Sequence, residues 1–374
     1  MASTKKYDVV MALNYYAPYV SGLTEAARLV AESLAEQGQR VLVVTCRHDV
    51  ALPRRERING VHVVRTRVLF RIGKGLISPS FIATAVHFGR RARVLNLHLP
   101  MIESGVIATF VRNTRKVLTF QCDIALPPGL VNRLQERVMD ASVALAFSMS
   151  EVVAPSSEDY AKSSRVAKWM PVGKRNPVSP PTRLQSGGCP AFRSGPGPHI
   201  GFLGRLVEEK GLEYLVDGFR GLADPEARLL IAGDYKNVAG GSVIDLVRQR
   251  MGDDPRIQLL GFLEDDELAD FYASLDIFAL PSVNAFEAFG IVQVEAMRVG
   301  VAALASDLPG VRSPVLNTGF GVIVAPRDST AVTRGLEQLI RNPPDRTIGA
   351  VRSSEVYSRE RTVREYQQLF DGDR

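Results

Sequence analysis

The 374 residues, 45% of them hydrophobic and 23% charged, have the composition of an ordinary globular protein, long for one compact domain and comfortable for two. The three cysteines, Cys46, Cys122 and Cys189, lie far apart and form no CxxC, which argues against a disulfide framework or a zinc site and for a reducing compartment. No apolar stretch approaches the roughly 18 residues that a spanning helix needs, so a cytoplasmic chain is expected, with peripheral contact at the inner face of a membrane left open. Charge is uneven: residues 1–175 carry a net +12 and residues 176–374 a net −6. A basic half suits an anionic ligand or surface, or is simply a soluble exterior. No nucleic-acid motif accompanies it, so nucleic acid is not an expected partner.

In chain order, the opening MASTKKYDVVMALNYY is broken by Asp8, Asn14 and two tyrosines and reads as a lead into a first strand, not as a targeting segment. Short apolar runs then alternate with longer amphipathic stretches, the pattern of βα units around a parallel sheet. In the first half the runs are Asp8–Leu13, Val41–Thr45, Val61–Val64, Val94–Leu97, Val117–Phe120 and Val143–Phe147. Thr24–Gln37 has apolar positions at helical spacing, and Gly38 ends it. Arg65–Arg93 mixes cations with apolar residues, and Pro79 forbids one continuous helix there. An anionic membrane surface and a basic loop beside a binding site explain that segment equally well.

The strip Asn176–His199, rich in Pro, Gly and Ser, punctuates the chain. Alternation restarts with Ile200–Leu203, Arg228–Ala232, Ile257–Leu259, Ile277–Leu280, Ala302–Ala305 and Gly321–Val324, with helices such as Leu212–Phe219 and Asp266–Ser274 between them. Ser353–Phe370 reads as one long helix. The expected fold class is α/β, with two doubly wound Rossmann-like domains facing across a cleft. Their expected bounds are 1–180 and 199–352, with a linker at 181–198 and a terminal helix at 353–374 free to pack back on the first domain.

Four constellations carry candidate chemistry. In PSVNAFEAFGIVQVEAMRVG, a strand and a loop opened by Pro281 run into a helix at about Gly290. The N–H groups of Gly290, Ile291 and Val292 there form an anion site, Glu287 faces the same place, and Glu295, a turn and a half inside, can accept hydrogen bonds from a ribose diol. An ordinary amphipathic helix with two solvated glutamates fits the spacing equally well. In GRLVEEKG, Arg205 ends a strand and Lys210 starts the next helix, where open sheets bind ligands. Two cations there suit a diphosphate and the charge it gains on leaving, or form a surface ion-pair cluster with Glu208 and Glu209. Neither a P-loop nor GxGxxG after the first strand occurs.

His98, in NLHLP at a strand's carboxyl end, is placed to contact a transferred group, although a lone histidine is more often structural. Asp123 ends the following strand and is a weaker candidate for the same contact. In the loop Asn14–Leu23, Gly22 precedes a helix and lets backbone approach a phosphate or sugar, or serves a plain turn. The acids Glu264–Glu267 sit at a predicted helix start, where acids cap the dipole. No DxD ends a strand, so no metal ion is expected.

Together these residues resemble the large family of retaining glycosyltransferases with the GT-B fold, family four, across nearly the whole chain. APYVSGLTEAARLVAESLAEQGQRVLVVT, NLHLP, GRLVEEKGLEYLVDGF and the Glu287/Glu295 pair carry the resemblance. NYYAPYVSGLTEA, FRIGKGLISPSF and QCDIALPPGLVNRL are similar to bacterial members that build surface polysaccharides or glycosylate small natural products. The resemblance implies a nucleotide diphosphate sugar donor held by the second domain. Arg205 and Lys210 then bind the diphosphate, Glu295 holds the ribose, and Glu287 lies beside the donor sugar, which His98 contacts from the first domain. Ser21-Gly22 approaches the phosphates, and Ser21 stands where many relatives have glycine, which makes close approach less secure. No cofactor beyond the donor is implied. The implied acceptor is a hydroxyl on a glycan, a lipid-linked molecule or a small natural product, bound by the basic first domain. A nucleotide-sugar 2-epimerase of the same architecture and a non-catalytic nucleotide-sugar binder remain alternatives.

Overall fold

Two parallel sheets organise the computed structural model, which describes residues 6–72, 75–124, 129–235 and 241–372. Residues 1–5 of the opening lead, 73–74 of the Arg65–Arg93 segment and 125–128 of QCDIALPPGLVNRL lie outside the described residues. The chain divides into one unit of residues 1–181 and 359–374 and a second of residues 182–358.

The first unit runs β1 (Tyr7–Ala12), α1 (Gly22–Glu36), β2 (Val41–Cys46), β3 (Arg55–Ile58), β4 (Val61–Thr66), the hairpin β5 (Phe70–Ile72) and β6 (Gly75–Ile77), and α2 (Pro79–Gly89). It continues with β7 (Ala92–Leu99), α3 (Ser104–Phe110), β8 (Arg115–Phe120), α4 (Leu130–Ser148), β9 (Val152–Pro155) and α5 (Glu158–Ser163). The sheet order is β3-β4-β2-β1-β7-β8-β9, parallel except for β3. β2, VLVVTC, is buried at every position, as a strand covered by helices on both faces must be.

The second unit runs β10 (His199–Leu203), α6 (Leu212–Arg220), β11 (Arg228–Ala232), α7 (Ile244–Met251), β12 (Ile257–Gly261), α8 (Leu268–Ala273) and β13 (Ile277–Leu280). Then follow α9 (Ile291–Arg298), β14 (Ala302–Ser306), α10 (Ser313–Thr318), β15 (Gly321–Val324), α11 (Ser329–Arg341) and α12 (Arg346–Val356). Its parallel sheet has the order β12-β11-β10-β13-β14-β15, so the direction of winding reverses between β10 and β13. In the first unit the corresponding reversal lies between β1 and β7.

Three local expectations change. The apolar run Val143–Phe147 is the last part of α4 and not a strand; Val143, Ala146 and Phe147 are buried at helical spacing, and the strand is β9. A short apolar run does not by itself distinguish a buried strand from one face of a helix. Ser353–Phe370 is not one helix: α12 ends at Val356 and α13 (Arg359–Asp371) begins three residues later. Tyr357 enforces the break, because its carbonyl accepts a hydrogen bond from the Thr182 hydroxyl at 2.9 Å while its buried ring stacks edge-on against Phe289. Finally, the Pro/Gly/Ser-rich strip has no helix or strand before β10 begins at His199, yet it is fastened. Asn176 and Val178 donate to Val153 and Pro155 of the first unit, whereas Cys189 donates to Asp270 and Arg193 pairs with Asp276 of the second.

α13 returns to the first unit. Arg359 donates to Ser33 at 2.6 Å, Arg93 pairs with Asp371, and Val363, Tyr366 and Phe370 enter the core that also holds Val9, Val30 and Val117. Emptying such a buried aromatic site costs about 3–5 kcal/mol. Phe370→Ala is therefore expected to bring forward the unfolding of the first unit by that amount in urea denaturation. An unchanged transition contradicts the assignment of α13 to this core.

Candidate active site

Open α/β sheets bind ligands outside the carboxyl ends of their strands where the winding reverses. In the second unit that place lies between β10 and β13, and the two strong sequence constellations are the segments that follow those two strands. After β10, the Arg205 side chain is 51% exposed, with its guanidinium 3.6 Å from Glu209. Residues Glu208–Lys210 form a 3-10 turn, so Lys210 sits two residues before α6, separated from it by the cap Gly211. Gly211 has φ +63°, and a Cβ there would come 2.3 Å from the Pro281 carbonyl oxygen. Val283 N–H donates to the Glu209 carbonyl at 3.0 Å. The two loops are thus stitched backbone to backbone.

Across that seam Lys210 forms an ion pair with Glu287, both side chains only 15% exposed. Beyond Glu287 the chain enters α9 through Gly290, which caps the helix at φ +82° with no side chain accepting from the first turn. A Cβ on Gly290 would come 2.4 Å from Leu280 and 2.5 Å from the Gln293 amide. Only glycine fits, and the N–H groups of Ile291 and Val292 are left at a helix start that favours an anion. The Gln293 side chain fixes this entry by donating to the Phe289 and Val311 carbonyls at 2.9 and 2.8 Å.

Glu295 is 8% exposed. Burial pushes its carboxyl up to about 7, against the Tyr272 hydroxyl, 3.1 Å away, and the Arg183 backbone N–H, which favour the charged form. Sequence reasoning did not single out Tyr272, Arg183 or Gln293. Tyr272 has the helical spacing of a core residue in LADFYA, and Arg183 falls in the strip read as linker. Glu267, in the acidic run Glu264–Glu267, accepts the Glu264 N–H at 2.8 Å and closes the turn that leads into α8.

In the first unit, His98 lies near the end of β7, beside β1, and is 3% exposed. Burial holds its imidazole down to about 3, so the ring is neutral at pH 7. Nδ1 is 3.5 Å from the Gln121 amide, and Nε2 has no hydrogen-bond partner among the described residues. Beside the ring, Gln121, Thr119 and Tyr366 help to line a cavity of about 10 Å³, room for about one water.

Gly22 does not precede the first helix but is its first residue. Ser21 is the cap: its hydroxyl accepts from Thr24 N–H at 3.3 Å, and its own N–H donates to the Thr24 hydroxyl at 2.9 Å. The serine therefore uses up one of the helix-start donors. The Asp123 carboxylate accepts from the Ser164 hydroxyl at 2.8 Å and from Arg165 N–H at 3.1 Å, bracing the end of β8 against the segment after α5.

Comparison with known proteins follows the same two-part division. Residues 193–350 match the family of glycosyl transferases group 1, and residues 21–172 match the glycosyl transferase 4-like domain. A phosphatidyl-myo-inositol mannosyltransferase of Mycobacterium leprae is 27% identical over 73% of this chain and 67% of its own length. A 2-deoxystreptamine glucosyltransferase of Streptomyces kanamyceticus is 30% identical over 39% of this chain. The chain spans only 37% of the length of that second relative and 33% of a mannosylfructose-phosphate synthase it also matches. Among solved structures, a sucrose-phosphate synthase of Thermosynechococcus elongatus superposes with a TM-score of 0.77 over 97% of this chain and 98% of that one, at 19% identity. An Anabaena protein solved with UDP and glucose gives 0.72 at 16% identity, over 98% of this chain and 100% of its own.

The raised Glu295 carboxyl has a consequence for stability. Between its ordinary value of 4.5 and about 7 the folded state holds a proton that the unfolded state releases, so this contribution is complete below 4.5 and lost as pH rises to 7. The slope is at most ~1.4 kcal/mol per pH unit. Glu295→Gln is expected to remove it, so that urea unfolding of the second unit at pH 5 and pH 8 differs less than in the parent protein. An unchanged pH slope contradicts the burial-driven shift.

Proposed function

We propose that this chain, which belongs to the family-four glycosyltransferases with the GT-B fold, takes a hexose-type sugar from a nucleotide diphosphate donor and passes it to a hydroxyl acceptor with retention of configuration. The observation that carries the proposal is the gathering of Arg205, Lys210, Glu287 and the Gly290 cap on the two stitched loops at the reversal of the second sheet. The UDP and glucose found with the Anabaena neighbour support a nucleotide sugar as the ligand class.

The chemistry follows from charge. Breaking the bond between sugar and diphosphate moves negative charge onto the leaving oxygen. Lys210, held by Glu287, and the first turn of α9 would receive it with little reorganisation, and the half-exposed Arg205 would close on it from solvent. Within the protein both cations face carboxylates, Glu209 and Glu287. A diphosphate replaces Glu287 as the partner of Lys210 and releases that carboxylate towards the donor sugar. Glu295, held by Tyr272, accepts from the ribose hydroxyls.

His98, neutral and with an unpartnered Nε2, offers the sugar a hydrogen-bonding atom without a charge. The reaction we favour is attack by the acceptor hydroxyl on the face the diphosphate leaves, with the departing phosphate oxygen taking the acceptor's proton. The acceptor is assigned to the first unit. The relatives named for phosphatidyl-myo-inositol and 2-deoxystreptamine support a polyol hydroxyl in that role.

Arg205 gives the cleanest test, because its half-exposed side chain has only a long contact to Glu209 to lose. A charge-assisted hydrogen bond contributes about 1.5–3 kcal/mol. Arg205→Ala is expected to bind nucleoside diphosphate roughly 10- to 100-fold more weakly by calorimetry, with an unchanged melting temperature. Equal affinity in the variant rules out a diphosphate at this position.

A further inference from the structure

The acids of α4 face inward. Glu136 and Asp140 both pair with Arg165, Asp140 through two hydrogen bonds of 2.8 Å. The helix exposes Leu130, Leu134, Val138 and Leu145, with Arg133 and Arg137 among them. These apolar positions recur at helical spacing along a helix of 19 residues, about 28 Å long. α3 packs directly against α4. A Cβ on Gly105 would come 2.7 Å from the Ser142 carbonyl, and the Ser142 hydroxyl donates to the Ile102 carbonyl while accepting from Gly105 N–H at 3.0 Å. α3 and the residue two before it expose Ile102, Val106 and Phe110, again four apart. Exposed Arg90 donates to the Phe110 carbonyl at 2.9 Å, and exposed Arg112 follows two residues later.

We propose that this α3–α4 face docks the first unit on an anionic lipid surface. Rows of exposed apolar side chains on two packed helices mark an interaction site, and the charges among them decide the partner. Here the exposed charges on α3 and α4 are arginines, and among the described residues of the two helices no acidic residue is exposed; Glu151, exposed just beyond α4, is paired with Lys116. The half of the chain that carries the patch has a net charge of +12. A second copy related by a two-fold axis would oppose arginine with arginine, whereas a layer of anionic headgroups neutralises them all. The leucines, valines and Phe110 then enter the headgroup–acyl boundary, as the apolar side of an interfacial helix does.

The Arg65–Arg93 segment, weighed from sequence for the same role, is only partly spent internally: Arg90 belongs to the proposed rim, and Arg67 and Arg71 are exposed at the β5–β6 hairpin. Arg65 is buried against Glu56 and the Ala17 carbonyl, Phe81 and Ala85 are in the interior, and only Leu69 and Phe70 stay exposed among its large apolar residues with described side chains.

Flotation of the full chain with phosphatidylcholine vesicles, with and without phosphatidylglycerol, tests the proposal and needs neither donor nor acceptor. Its failure is therefore distinct from failure of the transferase reading. Binding is expected only with phosphatidylglycerol and should weaken as salt rises. Arg133→Ala with Arg137→Ala is expected to lower partitioning on the order of 25-fold, about fivefold for each cation near an anionic surface. Leu134→Glu with Val138→Glu is expected to abolish it while leaving nucleoside diphosphate affinity and melting temperature unchanged, since these side chains are exposed. Three results overturn the proposal: no flotation, flotation that both double variants retain, or a dimer in light scattering that Leu134→Glu splits without any vesicle binding.

Discussion

Lys210 and Glu287 hold each other where the winding of the second sheet reverses, and the surrounding site is arranged by that contact. Each side chain is mostly buried, so neither charge tolerates the loss of the other without a replacement. This is a useful property in a site for an anion. In the proposed reaction a diphosphate takes the place of Glu287 as the partner of Lys210, and the carboxylate is released beside the sugar. Arg205 is more exposed and more loosely paired, with Glu209.

The backbone supports this pair through two positions where only glycine fits. Gly211 lets the turn after β10 touch the Pro281 carbonyl, and Gly290 lets α9 start against Leu280. Side chains at either position would separate the two loops and with them the ion pair. The same topology recurs in the first unit, where β1 and β7 flank the reversal and bring the capped start of α1 and the end of β7 to the corresponding edge. There the polar group is a buried neutral histidine and not an ion pair, which suits contact with an uncharged hydroxyl better than with a phosphate.

Much of this was legible in the chain itself. Runs such as Val41–Thr45 and Ile277–Leu280 could only be buried strands given what flanked them, and alternation with amphipathic stretches implied parallel sheets. Arg205, Lys210, Glu287 and Gly290 were singled out by the family resemblance, since on spacing alone a surface ion-pair cluster and an ordinary amphipathic helix fit them as well. What escaped depends on distant partners. Val143–Phe147 is apolar in either a strand or a helix, and only packing against α3 decides. The break at Tyr357 comes from Thr182 and Phe289, far away in sequence, and Tyr272 looks like any core aromatic until Glu295 is found beside its hydroxyl. The outward face of α4 became visible only when Arg165 was seen to take both acids of the helix.

The central claim is that the second unit binds a nucleotide diphosphate sugar and the protein breaks its sugar–phosphate bond. Thermal stabilisation by a panel of nucleotide diphosphate sugars, with each hit followed for nucleoside diphosphate release, tests it most directly. A ligand present at about 100 times its dissociation constant stabilises by about 2.7 kcal/mol, enough for a clear rise in melting temperature. The account predicts such a rise with at least one donor and slow release of its nucleoside diphosphate, both diminished in Arg205→Ala. A panel in which no nucleotide sugar or nucleoside diphosphate raises the melting temperature would contradict it.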